Sequence, residues 1–182
     1  MRVMPLAIFG SWIIQSPIYP DDRGMFREWF RSEDWKENGV PTFVVRQANT
    51  SISKKGVIRG IHYSSENNGQ AKIVTCTSGS VFDVVVDLRP ESLTYGEHVE
   101  IELSASAGTC VYVSSGLGHG FQALENNSVV TYLLDKEYSP HEEYGINPVD
   151  PNLRIKWPIL DFYVSEKDRI SANFNRNNKG KD

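Results

Sequence analysis

Phe82-Asp83-Val84-Val85-Val86-Asp87-Leu88 carries three consecutive valines between an aromatic residue and a leucine. Branched and aromatic side chains suit a pleated backbone. An apolar run of this length predicts an inner strand buried on both faces. Outward from it, similar short runs recur at 11–16, 25–30, 43–53, 57–63, 72–77, 81–87, 98–103, 110–113, 120–124 and 129–134. Gly, Ser, Asn and Asp separate them, as turn residues separate strands.

Helical signals are few. Ser32 is placed to cap a helix, Glu33 and Asp34 suit its positive N-terminal end, and Gly39 suits its end. A second short helix is expected near Ser165, with Glu166 in its first turn. No long repeat and no linker divides the chain, so residues 1–182 read as one domain, with 175–182 a polar, flexible tail. Ten or so short strands with few helices predict an all-β sandwich or closed barrel. The expected form is a cupin-type jelly-roll barrel with a few short peripheral helices. Such a barrel can hold a ligand against alternate residues of several strands.

A chain of 182 residues can bury a core without disulfides or metals. Its net charge of −4 argues against a cationic nucleic-acid binder, yet leaves room for a local basic site facing an anionic substrate. Cys76 and Cys110 lie far apart and form no CxxC pair, which predicts two buried free thiols in a reducing cytosol. No stretch approaches the roughly 20 apolar residues that cross a membrane. The start, MRVMPLAIFGSW, is too short and poorly patterned for a signal peptide. A soluble cytoplasmic protein is expected.

Four segments could carry chemistry. In Gly56-Val57-Ile58-Arg59-Gly60-Ile61-His62-Tyr63, regular alternation puts Val57, Arg59, Ile61 and Tyr63 on one face and Ile58, Gly60 and His62 on the other. A bulge at Gly60 would bring Arg59 and His62 to one side. A lone strand histidine is more often structural. Here the clustered cations Arg59 and Lys72 need an anion to justify them, which favours function. Ser114-Ser115-Gly116-Leu117-Gly118-His119-Gly120-Phe121 delivers His119 through a Gly-rich turn, either as a locally satisfied hairpin histidine or as a wall of the His62 cavity. Tyr132, within 131–140, reads by itself as a packing residue. Ser165-Glu166-Lys167-Asp168 reads as a capped turn. A metal-binding barrel of this kind wants an HxH pair, but Ser64 stands where the second histidine would be. His62, His119 and Glu66 make a poor set for zinc or iron, so no metal is expected. No GxSxG motif is present, and no serine stands out as an activated nucleophile.

Taken in order, several segments resemble the dTDP-4-dehydrorhamnose 3,5-epimerase family, from about Leu6 to Asp168. They are Asp22-Arg23-Gly24-Met25-Phe26-Arg27-Glu28, Gln47-Ala48-Asn49-Thr50-Ser51, 56–63, Ala71-Lys72-Ile73-Val74, 82–89 and Gly118-His119-Gly120-Phe121. Tyr132, Tyr138-Ser139-Pro140, Asp150-Pro151-Asn152-Leu153, Trp157-Pro158 and 165–168 complete the set. The resemblance implies the cupin fold and a cofactor-free epimerase acting on dTDP-4-dehydro-6-deoxyglucose. It implies His62 as general base, Asp168 as the carboxylate holding its ring, Lys72 as partner of the enolate oxygen and Tyr132 as the acid on the opposite face of the sugar. It implies Arg59 as a substrate contact and His119 in the sugar pocket. Arg23, Glu28, Gln47, Asn49 and Tyr138 would hold the thymidine diphosphate. Lys167 would reach the phosphates and Glu143 would sit at the pocket rim. In the family Arg23 comes from a neighbouring subunit, which implies a homodimer exchanging N-terminal strands.

Those roles make physical sense together. Removing a proton beside a ketone leaves charge on the former carbonyl oxygen, and a fixed ammonium stabilises it. Inversion needs a base on one face and an acid on the other. The sequence departs from the family pattern at Ser64, where many members carry Gln, at Ser114, where proline is usual, and at Pro148, where many carry tryptophan. These changes are similar to the branch in which some enzymes invert only carbon 3 or only carbon 5. Double inversion is the favoured expectation. The rivals are a single-position epimerase, a sugar-nucleotide 3,4-ketoisomerase and a non-catalytic sugar-binding barrel. Solvent deuterium and product identity separate the isomerase, and the activity of His62→Ala separates the non-enzyme.

Overall fold

The computed structural model describes residues 1–67 and 69–178. In chain order they form β1 (Arg2–Pro5), β2 (Ser11–Gln15), β3 (Tyr19–Asp21), β4 (Gly24–Phe26), α1 (Ser32–Glu37), β5 (Gln47–Ser53), β6 (Val57–Ser64) and β7 (Lys72–Ser78). Then come β8 (Ser80–Asp87), β9 (His98–Ser104), β10 (Thr109–Val113), β11 (Leu117–Ala123), β12 (Ser128–Leu134), β13 (Glu143–Gly145), β14 (Tyr163–Val164) and α2 (Glu166–Arg169). A 3-10 turn follows at Arg176–Asn178.

One antiparallel sheet runs β1-β2-β10-β7-β12-β5. The other runs β13-β6-β11-β8-β9, with β14 lying parallel on β6. The sheets face each other as the all-β, cupin-like barrel that the strand pattern predicts. Valine-rich strands fill one end of the space between them: Val74, Val111, Val113 and Val130 from the first sheet meet Val81, Val85, Leu103, Leu117 and Phe121 from the second. Each sheet is also covered outside. Ile58, Ile61, Val84 and Val86 pack under Leu153, Trp157 and Phe174 of the C-terminal segment. Ile14, Ile73 and Tyr112 pack under Trp35, Val40 and Phe43. This double cover explains why β8 is apolar on both faces: Val81 and Val85 point between the sheets while Val84 and Val86 point outward.

Several boundaries differ from the sequence reading. The strand expected over 25–30 ends at Phe26, and the one expected from 43 begins at Gln47, because 27–46 includes the segment that wraps over the outer face of the first sheet. Ser32 does not cap α1. It is the first helical residue, Arg31 holds the cap position, and no side chain bonds the free amides there. Ser165 does cap α2, its hydroxyl accepting from the Asp168 amide at 3.1 Å. Short strands β1, β3, β13 and β14 carry too few residues for an alternating pattern to show. Within the expected tail, 176–178 form a 3-10 turn and Arg176 donates to the Asn152 carbonyl at 3.3 Å. Positions 179–182 lie outside the described residues. Cys76 and Cys110 are buried and free, as expected.

Candidate active site

The end of the barrel not filled by valines is a cavity of about 500 Å³, within the range that holds a small ligand. The first sheet contributes Gln47, Asn49, Ser51, Lys72, Tyr132 and Leu134. The second contributes Val57, Arg59, His62, His119 and Phe121, and later segments add Tyr138, Glu143, Tyr163 and Asp168. Alternation selects the wall: Gln47, Asn49 and Ser51 point in, while Ala48, Thr50 and Ile52 are exposed on the far side.

Arg59 and His62 share this wall because β6 is not regular. Its register against β11 runs His119 to His62 and then Phe121 to Arg59, so three steps on β6 match two on β11. The extra residue turns Ile58 and Ile61 to the outer cluster and Arg59 and His62 inward. Gly60 permits it. Its φ is +105°, and an added Cβ would lie 2.6 Å from the His119 carbonyl oxygen. The bulge reading of this segment therefore holds and the simple alternation does not.

His62 Nε2 lies 2.8 Å from Asp168 Oδ1. The imidazole is 35% exposed and the carboxylate 8%. Burial pushes the Asp168 pKa up, but the His62 ring, the Ser165 hydroxyl and the Gly60 amide outweigh it, and the carboxyl stays below its ordinary value. An ionised carboxylate only accepts, so the Nε2 proton belongs to His62 and Nδ1 carries the free lone pair of the neutral ring. The C-terminal segment delivers Asp168: Tyr163 and Val164 pair with Val57 and Ile58, and α2 follows at once.

Lys72 faces this pair from the first sheet. Burial depresses its ammonium's pKa, against the pull of Glu143 and Asp83. Tyr132 stands on the same sheet, across the cavity from His62. Arg59 is steadied by donating to Ser53 Oγ at 3.0 Å and the Ile52 carbonyl at 3.3 Å. Gln47 accepts from the Tyr138 amide at 2.7 Å and donates to Asn49 at 3.0 Å, fixing the mouth beside Tyr138. Among the described residues no cluster of three His, Cys, Asp or Glu side chains could hold a metal ion.

The structure thus brings together His62, Lys72, Arg59, His119, Tyr132, Asp168, Gln47, Asn49, Tyr138 and Glu143. It does not bring Arg23, Glu28 or Lys167 to the cavity wall of their own chain. Arg23 pairs with Asp21 at 2.6 Å within the β3–β4 hairpin, and Glu28 pairs with Arg31 at 2.6 Å. Lys167 is exposed on α2, next to Asp168. Sequence reasoning missed Asp83, which is fully buried and bonds His119 Nε2 at 2.8 Å. The one signal was an acidic residue at an inward position of an apolar strand. Ser51, whose buried hydroxyl has no partner, was missed as well.

The family model described as dTDP-4-dehydrorhamnose 3,5-epimerase matches residues 5–176. The chain is 41% identical over 177 residues to the dTDP-4-dehydrorhamnose 3,5-epimerase of Mycobacterium tuberculosis, covering 96% of this chain and 88% of that protein. It is 42% identical over 169 residues to the dTDP-4-dehydrorhamnose 3-epimerase of Streptomyces niveus, covering 93% and 82%. A solved dTDP-6-deoxy-D-glucose-3,5-epimerase of Legionella pneumophila, in complex with dTDP-4-keto-L-rhamnose, superposes with a TM-score of 0.88 at 35% identity, covering 94% and 92%. With the cavity, the histidine–carboxylate pair and the facing tyrosine in one barrel, the chain belongs to the dTDP-4-dehydrorhamnose 3,5-epimerase family of isomerases.

Proposed function

We propose that this enzyme inverts carbons 3 and 5 of dTDP-4-dehydro-6-deoxyglucose through an enolate. The observation that carries the reading is a histidine and a phenol on facing sheets of one cavity, with a lysine lining the same space. His62 Nδ1 takes the proton beside the ketone while Asp168 holds the ring and stabilises the imidazolium. The Lys72 ammonium meets the oxygen on which charge develops. Tyr132 returns a proton from the opposite face, so the centre inverts. Arg59, with Asn49 and Tyr138 at the mouth, faces the nucleotide diphosphate. Gln47, Glu143, Lys167 and the partner's hairpin complete that end. The chemistry moves protons only and draws on no cofactor.

The dimer reading is supported by the β3–β4 hairpin. All six of its strand residues are exposed, Tyr19, Met25 and Phe26 by 57%, 51% and 66%. Strand β5 ends its sheet, leaving an edge on which a second copy could add strands. Exchange of hairpins would carry Arg23 and Glu28 from their own surface to the partner's cavity. Two free buried thiols suit a reducing cytosol, and among the described residues no helix is long and apolar enough to cross a membrane.

The deciding experiment follows the purified enzyme with dTDP-4-dehydro-6-deoxyglucose in deuterated water by nuclear magnetic resonance. Deuterium at both carbons, with the L-configured product, is expected. The 42% identity to a 3-epimerase keeps a single inversion as the second reading, and deuterium at carbon 3 alone would establish it. Exchange at neither carbon would overturn both.

A further inference from the structure

Asp83 is a buried charge to which the proposed chemistry gives no direct part, beyond its pull on the Lys72 ammonium. It lies on the inward face of β8 between Val81 and Val85, with no exposed surface. Core packing does not explain it, because desolvating a carboxylate is costly and an apolar side chain would suit the valine layer better. One oxygen, Oδ2, lies 2.8 Å from His119 Nε2, and Oδ1 is buried without a partner. His119 lines the cavity and Asp83 does not, so the ring stands between the carboxylate and the ligand space. The His119 Cα lies opposite that of His62 on the neighbouring strand.

We propose that Asp83 is a positioning residue that holds His119 in the Nε2–H tautomer, so that Nδ1 meets the sugar as a hydrogen-bond acceptor. An ionised carboxylate has no proton to give, so the contact requires hydrogen on Nε2. A neutral imidazole carries one such hydrogen, which leaves Nδ1 bare, and no partner for it is found among the described residues. In a cavity holding a hexose, the groups that can donate to it are ring hydroxyls. Lys72 and Arg59 can only donate. His119 therefore offers an acceptor from the second sheet and Lys72 a donor from the first. That division selects a sugar presenting a hydroxyl to one side and its carbonyl oxygen to the other. The inference rests on the nucleotide-sugar reading of the cavity.

The test is imidazole nitrogen spectroscopy of the full-length, nitrogen-15-labelled enzyme without ligand, His119 being assigned by loss of its signals in His119→Gln. A protonated Nε2 and a bare Nδ1 are expected. A proton on Nδ1 would overturn the proposal, and this measurement stands even if no Asp83 variant folds. In Asp83→Asn the tautomer is expected to change, with affinity for dTDP-glucose falling about tenfold, the scale of one lost hydrogen bond. Affinity for dTDP alone should stay within about twofold. Unchanged binding of dTDP-glucose by Asp83→Asn would also overturn it. Failure of the wild-type enzyme to bind dTDP would instead refute the nucleotide-sugar reading, so the two failures are distinguishable.

Discussion

A histidine acts as a base only through the nitrogen that its surroundings leave free, and in the proposed mechanism the Asp168 contact leaves that role to Nδ1 of His62. Replacing Asp168 by Asn keeps the shape but removes the charge and frees the tautomer. The kcat of Asp168→Asn is expected to fall by roughly 10²–10⁴-fold while the Kd for dTDP stays unchanged, both measurable by turnover and calorimetry. Lys72 sets a different limit. Burial disfavours its ammonium, so it loses its proton below the ordinary lysine value of about 10.4. Activity that needs the charged form should therefore decline on the alkaline side before an exposed lysine would titrate. In Lys72→Arg, activity should be lower at neutral pH but the alkaline limb should move up, since guanidinium stays charged. A pH–rate profile of both proteins checks this. At this scale the sequence marked His62, Lys72, Arg59 and His119 by residue type and local spacing. Asp83 escaped because its partner, His119, lies 36 positions away.

Strands place these residues, and two local devices correct what a regular strand would do. The bulge at Gly60 turns Arg59 and His62 to one side, and glycine was the visible sign of it. The loop after β8 is braced by Asp87, which accepts from Arg89, Ser92 and Thr94. Burial raises the Asp87 pKa, but these donors outweigh it and the net shift is downward. A carboxyl with a depressed folded pKa contributes stability in full above its unfolded value of about 3.9, and loses it as the pH falls below that toward the folded value. Asp87→Ala would leave the Arg89 side chain, only 10% exposed, without its counter-charge. The variant is expected to lose about 3–5 kcal/mol near neutral pH. Urea unfolding should show the gap to wild type narrowing below about pH 4. Nine of the ten expected strands overlap an observed one over most of their length; the exception, 25–30, lost its last four residues to a covering segment that no local pattern reveals.

The whole molecule matters most where one chain does not supply everything. If hairpin exchange delivers Arg23 to the partner's cavity, His62→Ala and Arg23→Ala homodimers are each deficient. Mixing them should restore up to about half of wild-type activity per heterodimer, because one of its two cavities holds both native residues. No recovery after mixing under exchanging conditions, or a monomer by light scattering at micromolar concentration, would contradict the dimer. The amino-acid sequence by itself determined the all-β class, the approximate strand positions and the residue types of the site, because side-chain branching, alternation and turn residues act over a few positions. Apart from the Asp168–His62 pair that the family resemblance implied, only the tertiary structure decided which of those residues meet. Asp168 reaches His62 across 106 positions and Asp83 reaches His119 across 36. Such contacts arise from sheet order, a one-residue bulge and the path of the C-terminal segment, which are set by burial summed over the barrel rather than by any local pattern.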